Sequence, residues 1–374
     1  MSRLPAEMKF PHVYVHIPFC ETICHYCDFY VERTRGADYP LFFQALGKEF
    51  ELRRDQLSPK IKTLYFGGGT PSEAPFELIE KFIRRFEPLL DSDAEITLEA
   101  NPTSIMENSL IHWRAAGVNR LSVGTQSLRN PHLKRLGRTH NSDQALRALE
   151  LAASHISNVS ADLIYGVPGM KESDAARDAV RLADVGMSHV SAYTLTLTSE
   201  HFLFKKLPSS NETMNQSEAI REALSAHGLE CYEASNYARA GYQSRHNQAY
   251  WGSRPYLAIG PSAHGFDGKS FRWKNIADWK RYAQLLAEDQ EPTDSTEELT
   301  KEQMRLEFLI TRLRTKKGFA FADYNQLFAA DWPNEKIQIF NELAKSNLGA
   351  IETGHWRPSF AGLMLADSIA LRLA

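Results

Sequence analysis

Six short runs rich in β-branched and aromatic residues alternate with longer amphipathic stretches through the first half of this 374-residue chain, and that alternation restricts its architecture more than any other feature. The runs occupy 13–17, 63–66, 95–100, 120–124, 160–165 and 189–195. Helix-like stretches lie near 39–57, 74–90, 103–116, 142–156 and 172–185, with Ser72, Asn101, Ser142 and Ser173 as expected capping residues. Strand followed by helix, repeated, predicts an α/β fold with a parallel sheet, either open or curled into a barrel. In both forms ligands collect at the carboxyl ends of the strands.

The unusual chemistry falls at those ends. The first run leads into Cys20, Cys24 and Cys27, and the second into Gly67-Gly68-Gly69-Thr70-Pro71. Glu99-Ala100-Asn101-Pro102 closes the third, Gln126 follows the fourth, and the fifth carries Asp162 before Gly166-Val167-Pro168-Gly169. Glycine and proline also end strands for local reasons, so a single loop of this kind carries little weight.

After residue 200 the pattern changes to a helix near 213–227, a short run at 229–234, an aromatic stretch ending near Gly268 and a surface helix over 278–289. The polar segment 291–298 (EPTDSTEE) reads as a linker, and 304–314, 321–328, 335–346 and 359–373 as a mostly helical tail. The expected division is a core over 1–235, an extension with linker over 236–298, and a small helical, winged-helix-like domain over 299–374.

A formal charge of -3 and a pI near 6.5 provide no general attraction to nucleic acid. The N-terminus lacks a basic start followed by an apolar run, and no stretch approaches the roughly 18 apolar residues of a membrane span. The expectation is a cytoplasmic protein with no membrane span. Of four cysteines, three fall between positions 20 and 27, which reads as a metal site rather than a disulfide framework.

Cys20-x3-Cys24-x2-Cys27 offers three thiolates to one cluster and leaves one iron without a protein ligand. Zinc would want a fourth ligand, for which His25 or His16 is near in sequence. A Cys24-x2-Cys27 redox pair leaves Cys20 unused. An iron with an open position can chelate an amino acid's amino and carboxylate groups, and an electron through the cluster can cleave an adjacent sulfonium bond. The spacing, at the end of a first strand, resembles the signature of radical S-adenosylmethionine proteins, whose core is a partial (β/α)6 barrel. That resemblance implies a 4Fe-4S cluster on Cys20, Cys24 and Cys27.

The order YVHIPFC, YFGGGTPS, EANP, GVNRLSVGTQSL, LGRTH and DLIYGVPG resembles the oxygen-independent coproporphyrinogen oxidase branch of that superfamily. By this resemblance Tyr14, Tyr26, Gly69, Thr70, Pro71, Glu99, Gln126, Arg138 and Asp162 fall on S-adenosylmethionine-binding positions. Read alone, Glu99 at a strand end is suited to accept from ribose hydroxyls and is otherwise a helix N-terminal charge with Asn101 as cap, the glycine run is otherwise a tight turn, Tyr14 and Tyr26 pass as core aromatics, and Gln126, Arg138 and Asp162 as surface or packing groups.

True oxidases of the branch carry a further cysteine two places after the third, whereas this chain has Cys27-Asp28-Phe29. That string, SNYA at 235–238 and the HNxxYW segment His246-Asn247-Gln248-Ala249-Tyr250-Trp251 resemble HemW-type heme chaperones. The resemblance implies a radical S-adenosylmethionine protein that binds heme and passes it to an acceptor protein without converting coproporphyrinogen. The alternative is a coproporphyrinogen III dehydrogenase. His246 could ligate heme iron while Tyr250 and Trp251 offer flat faces to the macrocycle, and His264 competes as ligand. A histidine beside aromatics is also a common hydrogen-bonded core residue. Cys231 reads as a buried apolar side chain. The acceptor protein and electron donor are not specified by the sequence.

Overall fold

The computed structural model of the chain describes residues 8–329 and 332–373. The first seven residues, part of the stretch read for a secretory signal, lie outside the described residues, as do 330, 331 and 374 of the expected C-terminal domain.

All six expected strands form: β1 (His12–Ile17), β2 (Ile61–Gly68), β3 (Leu90–Ala100), β4 (Arg120–Gln126), β5 (Asn158–Tyr165) and β6 (His189–Thr194). They lie side by side in chain order, all parallel. Period-2 alternation gives each strand two different faces. Val13, Val15, Leu64, Phe66, Ile96, Leu98, Leu121 and Val123 are fully or almost fully buried in the main core with the helices. Their neighbours His12, Thr63, Tyr65, Glu99, Ser122, Asp162 and Ser160 bond across the other, concave face.

The helices are α1 (Tyr39–Arg53), α2 (Phe76–Ile83), α3 (Glu107–Ala115), α4 (Asn130–Arg135), α5 (Ser142–His155), α6 (Glu172–Asp184) and α7 (Ser210–Ala226). All four expected caps differ: Asn101 precedes a single turn without a side-chain cap bond, and α3, expected from 103, begins at Glu107 after Met106. Asn141 caps α5, its side chain accepting from Gln144 N in a reciprocal capping box, so Ser142 is already inside the helix. Ser173 is likewise inside α6, which Asp174 closes by accepting from Lys171 N. Ser72 lies in a single turn before α2, and its hydroxyl instead accepts from Asn101 N at 3.1 Å, tying two rim loops together. The stretch expected as one helix over 74–90 ends at Ile83, and the polar Leu90-Asp91-Ser92-Asp93 already belongs to β3.

The sheet continues beyond both ends of the parallel set. β7 (Glu230–Glu233) and β8 (Asn236–Ala238) extend it past β6, and β9 (Tyr256–Ile259) joins β1 in parallel. Then β10 (His264–Phe266), β11 (Phe271–Asn275) and β12 (Thr293–Glu298) follow antiparallel, making twelve strands in an open, partial barrel. β12 corrects the linker reading of 291–298. Its exposed polar residues satisfy half the backbone of β11 and mark a sheet edge, which alternation of apolar residues cannot reveal. Helix α8 (Arg245–Trp251) carries the HNxxYW segment, and α9 (Trp279–Ala287) buries Trp279, Tyr282 and Leu286 against the main core rather than lying free on the surface.

A second core gathers Phe308, Phe319, Tyr324, Phe340, Trp356 and Ile369. Around it pack α10 (Lys301–Leu313), α11 (Phe321–Phe328), α12 (Asn334–Lys345) and, after α13 (Phe360–Met364), whose Phe360, Leu363 and Met364 turn to the main core, α14 (Ala366–Leu373), with an antiparallel sheet of β13 (Phe319–Ala320), β15 (His355–Pro358) and β14 (Gly349–Glu352), β15 in the middle. No helix of the described residues is long and apolar enough to cross a membrane.

Candidate functional site

A cavity of about 540 Å3 opens at the carboxyl ends of β1–β6. Cys20, Cys24 and Cys27 line it together with Tyr26, Gly69, Thr70, Glu99, Gln126, Arg138 and Asp162. Ten of the residues singled out in the sequence are thus brought to one space. Tyr14 and Pro71 are not in its lining: Tyr14 meets His16 Nδ1 at 3.0 Å and stacks on Tyr65 with ring centres 6.1 Å apart, and Pro71 is buried at the start of the turn after the glycines. A comparable cavity of about 560 Å3 lies outside the barrel between α1, α2 and α9, and none of these residues lines it.

The glycine run is what lets the cysteine loop sit against β2. Gly68 has φ +113°, and a Cβ there would lie 2.5 Å from the His16 ring, while one on Gly69 would lie 2.6 Å from the Pro18 carbonyl carbon. Only glycine tolerates both the conformation and the approach. Gln126 takes a left-handed φ of 64° just after a register shift between β4 and β5, a local irregularity that re-aims the strand end at the cavity.

Two of the three cysteine sulfurs receive a donor. Thr70 Oγ1 lies 3.4 Å from Cys20 Sγ, and Arg138 Nη1 lies 3.3 Å from Cys24 Sγ. Arg138 is fixed by Asn101 Oδ1 at 3.0 Å and Gly124 O at 2.8 Å. Burial pushes the Cys20 thiol up to about 12 and raises that of Cys27, so neither becomes a thiolate near neutrality without a bound cation. Among the described residues no three His, Cys, Asp or Glu side chains converge on the spacing of a single ion. Of the histidines offered to a zinc site, His16 spends both nitrogens, on Tyr14 and on Tyr30 O, and His25 is exposed beside Phe202. Three sulfurs on one wide cavity, with donors behind two of them, fit a polynuclear cluster better than a single-metal cage.

Opposite the sulfurs, Glu99 accepts from Tyr65 at 2.8 Å and from Gly68 N at 3.1 Å, and Ser122 donates to Asp162 at 3.1 Å. Desolvation, with the neighbouring Asp162 charge, raises the Glu99 carboxyl to about 7; desolvation raises Asp162 to about 6 despite hydroxyl donors. Asn101 was read as a helix cap where it instead accepts from Arg138, and Tyr65 and Ser122 were missed by sequence reasoning. Their signal was positional, since Tyr65 and Ser122 share strand parity with Thr63 and Gly124 and hence the concave face.

The HNxxYW helix lies elsewhere. His246 is 1% exposed, with Nδ1 2.7 Å from Thr63 Oγ1 and Nε2 2.8 Å from Tyr250 OH. His12, at the amino end of β1, bonds the same Thr63, and Glu95 accepts the His246 backbone N–H at 3.0 Å. The helix therefore packs on the amino-terminal half of the concave face, away from the sulfurs. Trp251 is half-buried, its carbonyl held by Arg312 and its ring 5.7 Å from the Arg314 guanidinium carbon. His264 is exposed at the start of β10, paired across the sheet with Lys274.

Comparison with known proteins agrees with this arrangement. The family model for the radical SAM superfamily matches residues 14–182. Heme chaperone HemW of Bacillus subtilis is 31% identical over 347 residues, covering 90% of this chain and 91% of that protein. Its counterpart in Mycobacterium tuberculosis is 35% identical over 324 residues, 83% of each chain. The chain belongs to the HemW family of radical SAM proteins. Coproporphyrinogen III oxidase (HemN) from Escherichia coli, a solved structure, aligns with a TM-score of 0.84 at 22% identity over 99% of this chain and 91% of that one, which establishes a shared fold.

The buried groups of this HemW-family member set opposing pH dependences. Carboxyls raised by burial, Glu99 to about 7 and Asp162 to about 6, favour the folded state while neutral and lose that contribution as pH rises through those values. Histidines held neutral by burial, His12 and His16 near 4 and His246 near 3, stabilise above their ordinary 6.5 and lose that stability as pH falls. Three histidines outweigh two carboxyls, so the metal-free protein should gain stability from pH 4 upward and melt highest near neutrality. Paired Glu99→Gln and Asp162→Asn changes should raise its midpoint at pH 8 and leave it little changed at pH 4; calorimetry across that range checks both, and an equal gain at both pH values would refute the assignment.

Proposed function

We propose that this chain is a heme chaperone: it binds heme and passes it to an acceptor protein, and it carries a 4Fe-4S cluster on Cys20, Cys24 and Cys27 with S-adenosylmethionine in the adjoining cavity. The observation that carries the reading is the near full-length likeness to proteins named heme chaperone HemW, joined to Asp28 and Phe29 where oxidases have a further cysteine. When bound, cluster and cofactor supply one-electron chemistry at a sulfonium centre. The Gly68–Gly69 backbone offers close approach to an amino acid, Arg138 a fixed positive charge beside Cys24, and Glu99, Gln126 and Asp162 polar contacts for an adenosine. Tyr26 packs beside Arg138, and Tyr14 backs the cavity through Tyr65. A cytoplasmic location belongs to the same reading.

For heme iron, the two histidines differ in availability. His246 has no free ring nitrogen until Thr63 or Tyr250 gives way, so Tyr250 and Trp251 are better read as joints between barrel and C-terminal helices. His264 is exposed, and burial with the Lys274 and Arg272 charges lowers its pKa, which keeps the imidazole neutral and able to ligate. Lys274 beside it is placed to meet a propionate.

Anaerobically reconstituted protein should bind hemin at one per chain by optical titration and yield no protoporphyrinogen when given coproporphyrinogen III, S-adenosylmethionine and reductant. His264→Ala should weaken hemin binding at least tenfold. Product formation would transfer the chain to the dehydrogenase reading, and unchanged hemin affinity in His264→Ala would remove that residue as ligand.

A further inference from the structure

We propose that the Thr70 hydroxyl sets the reduction potential of the cluster, by donating a hydrogen bond to the Cys20 sulfur. The inference rests on the cluster reading above and concerns a side chain whose family-implied role lies with S-adenosylmethionine. Two observations separate its hydroxyl from that role. Thr70 Oγ1 is directed to Cys20 Sγ at 3.4 Å, and the Thr70 backbone N–H is spent on Phe19 O at 2.8 Å. Residue 70 is thereby anchored to the cysteine loop by its main chain as well as its side chain. Cys20 is also the most enclosed cysteine of the three, 9% exposed.

Reduction of a cluster from 2+ to 1+ adds one electron and neither forms nor breaks a bond. The electron comes from a low-potential iron–sulfur or flavin protein, which is oxidised by one. The added charge spreads onto the thiolate sulfurs, so a donor on a sulfur favours the reduced form and raises the potential. The effect is largest where water cannot substitute for the donor, which is the situation at Cys20. Arg138 acts in the same direction on Cys24, but changing it removes a full positive charge together with the hydrogen bonds to Asn101 and Gly124. Thr70 can be altered, because valine keeps its shape and removes only the hydroxyl, while serine keeps the hydroxyl.

The test is a redox titration of reconstituted wild-type, Thr70→Val and Thr70→Ser proteins, with the reduced cluster followed by paramagnetic resonance and iron and sulfide measured on each sample. Thr70→Val should show a midpoint lower by about 59 mV, a tenfold weaker reduction equilibrium for one electron, and Thr70→Ser a midpoint close to wild type. A fully loaded Thr70→Val protein with an unchanged midpoint would overturn the proposal. So would loss of iron in Thr70→Val but not Thr70→Ser, which would make the hydroxyl an assembly element. Absence of iron and sulfide from the wild-type protein is a different result, and would remove the cluster reading itself.

Discussion

Alanine in place of Cys20, Cys24 or Cys27 should reduce the iron retained after anaerobic reconstitution from about four atoms per chain to nearly none. The loss should be complete for each single change, because a cluster with one open iron has no spare protein ligand, and the two histidines nearest in sequence are respectively hydrogen-bonded and turned toward Phe202. Stability should change little. Cys24 and Cys27 are half-buried on an irregular loop, and the main core runs through β1, β2 and their helices rather than through the sulfurs. Cys231→Ala is the matched control: its thiol is buried in β7, donates to Glu233 O at 3.2 Å and does not line the cavity, so that variant should keep full iron and sulfide. Chemical iron and sulfide analysis reads all four proteins, and any cysteine variant of the triad that retains wild-type amounts removes its residue from the ligand set.

His246→Ala should cost about 3–5 kcal/mol of unfolding free energy, the largest loss expected of any single change in the HNxxYW segment. The substitution empties a site that is 1% exposed, leaves the Thr63 and Tyr250 hydroxyls short of a partner, and takes away the ring stacked on Tyr65 at 5.0 Å. Tyr65 in turn holds Glu99, so loss of the imidazole loosens the wall of the cofactor cavity from behind. Denaturant unfolding measures the cost. A variant with wild-type stability that no longer binds hemin would return His246 to the role of iron ligand.

The fold was legible wherever its cause is local. Runs of β-branched and aromatic residues set between amphipathic stretches marked all six parallel strands, and the rim location of the cysteines, glycines and acids followed from their order along the chain. Boundaries failed where the cause is distant. Leu90-Asp91-Ser92-Asp93 forms strand because β2 lies beside it, and the acidic 293–298 segment because β11 does. No local pattern reports a neighbour 20 residues or more away in sequence. Capping was misassigned by one or two residues at α5 and α6 because serine and its polar neighbours are chemically interchangeable there.

The candidate site divides in the same way. Spacing marked the three sulfurs, and resemblance marked the acids around the cavity. The hydrogen bonds behind them, from Thr70, Arg138 and Tyr65, join residues 34 to 114 positions apart and become visible only when strands are adjacent. His246 shows the limit most clearly. Chemistry alone made it an attractive ligand, and only the fold reveals that Thr63 and Tyr250 already occupy it.

The acidic strand at the sheet's edge has a practical meaning for anyone dividing the molecule. A cut near residue 290, where the sequence invites a domain boundary, would peel β12 from β11 and bare the amides and carbonyls of Phe271–Asn275 beside Trp273. The shortened barrel would present an unpaired strand edge to its own copies, and its insolubility would be mistaken for a need of the C-terminal helices when it is the loss of six guarding residues, Thr293–Glu298.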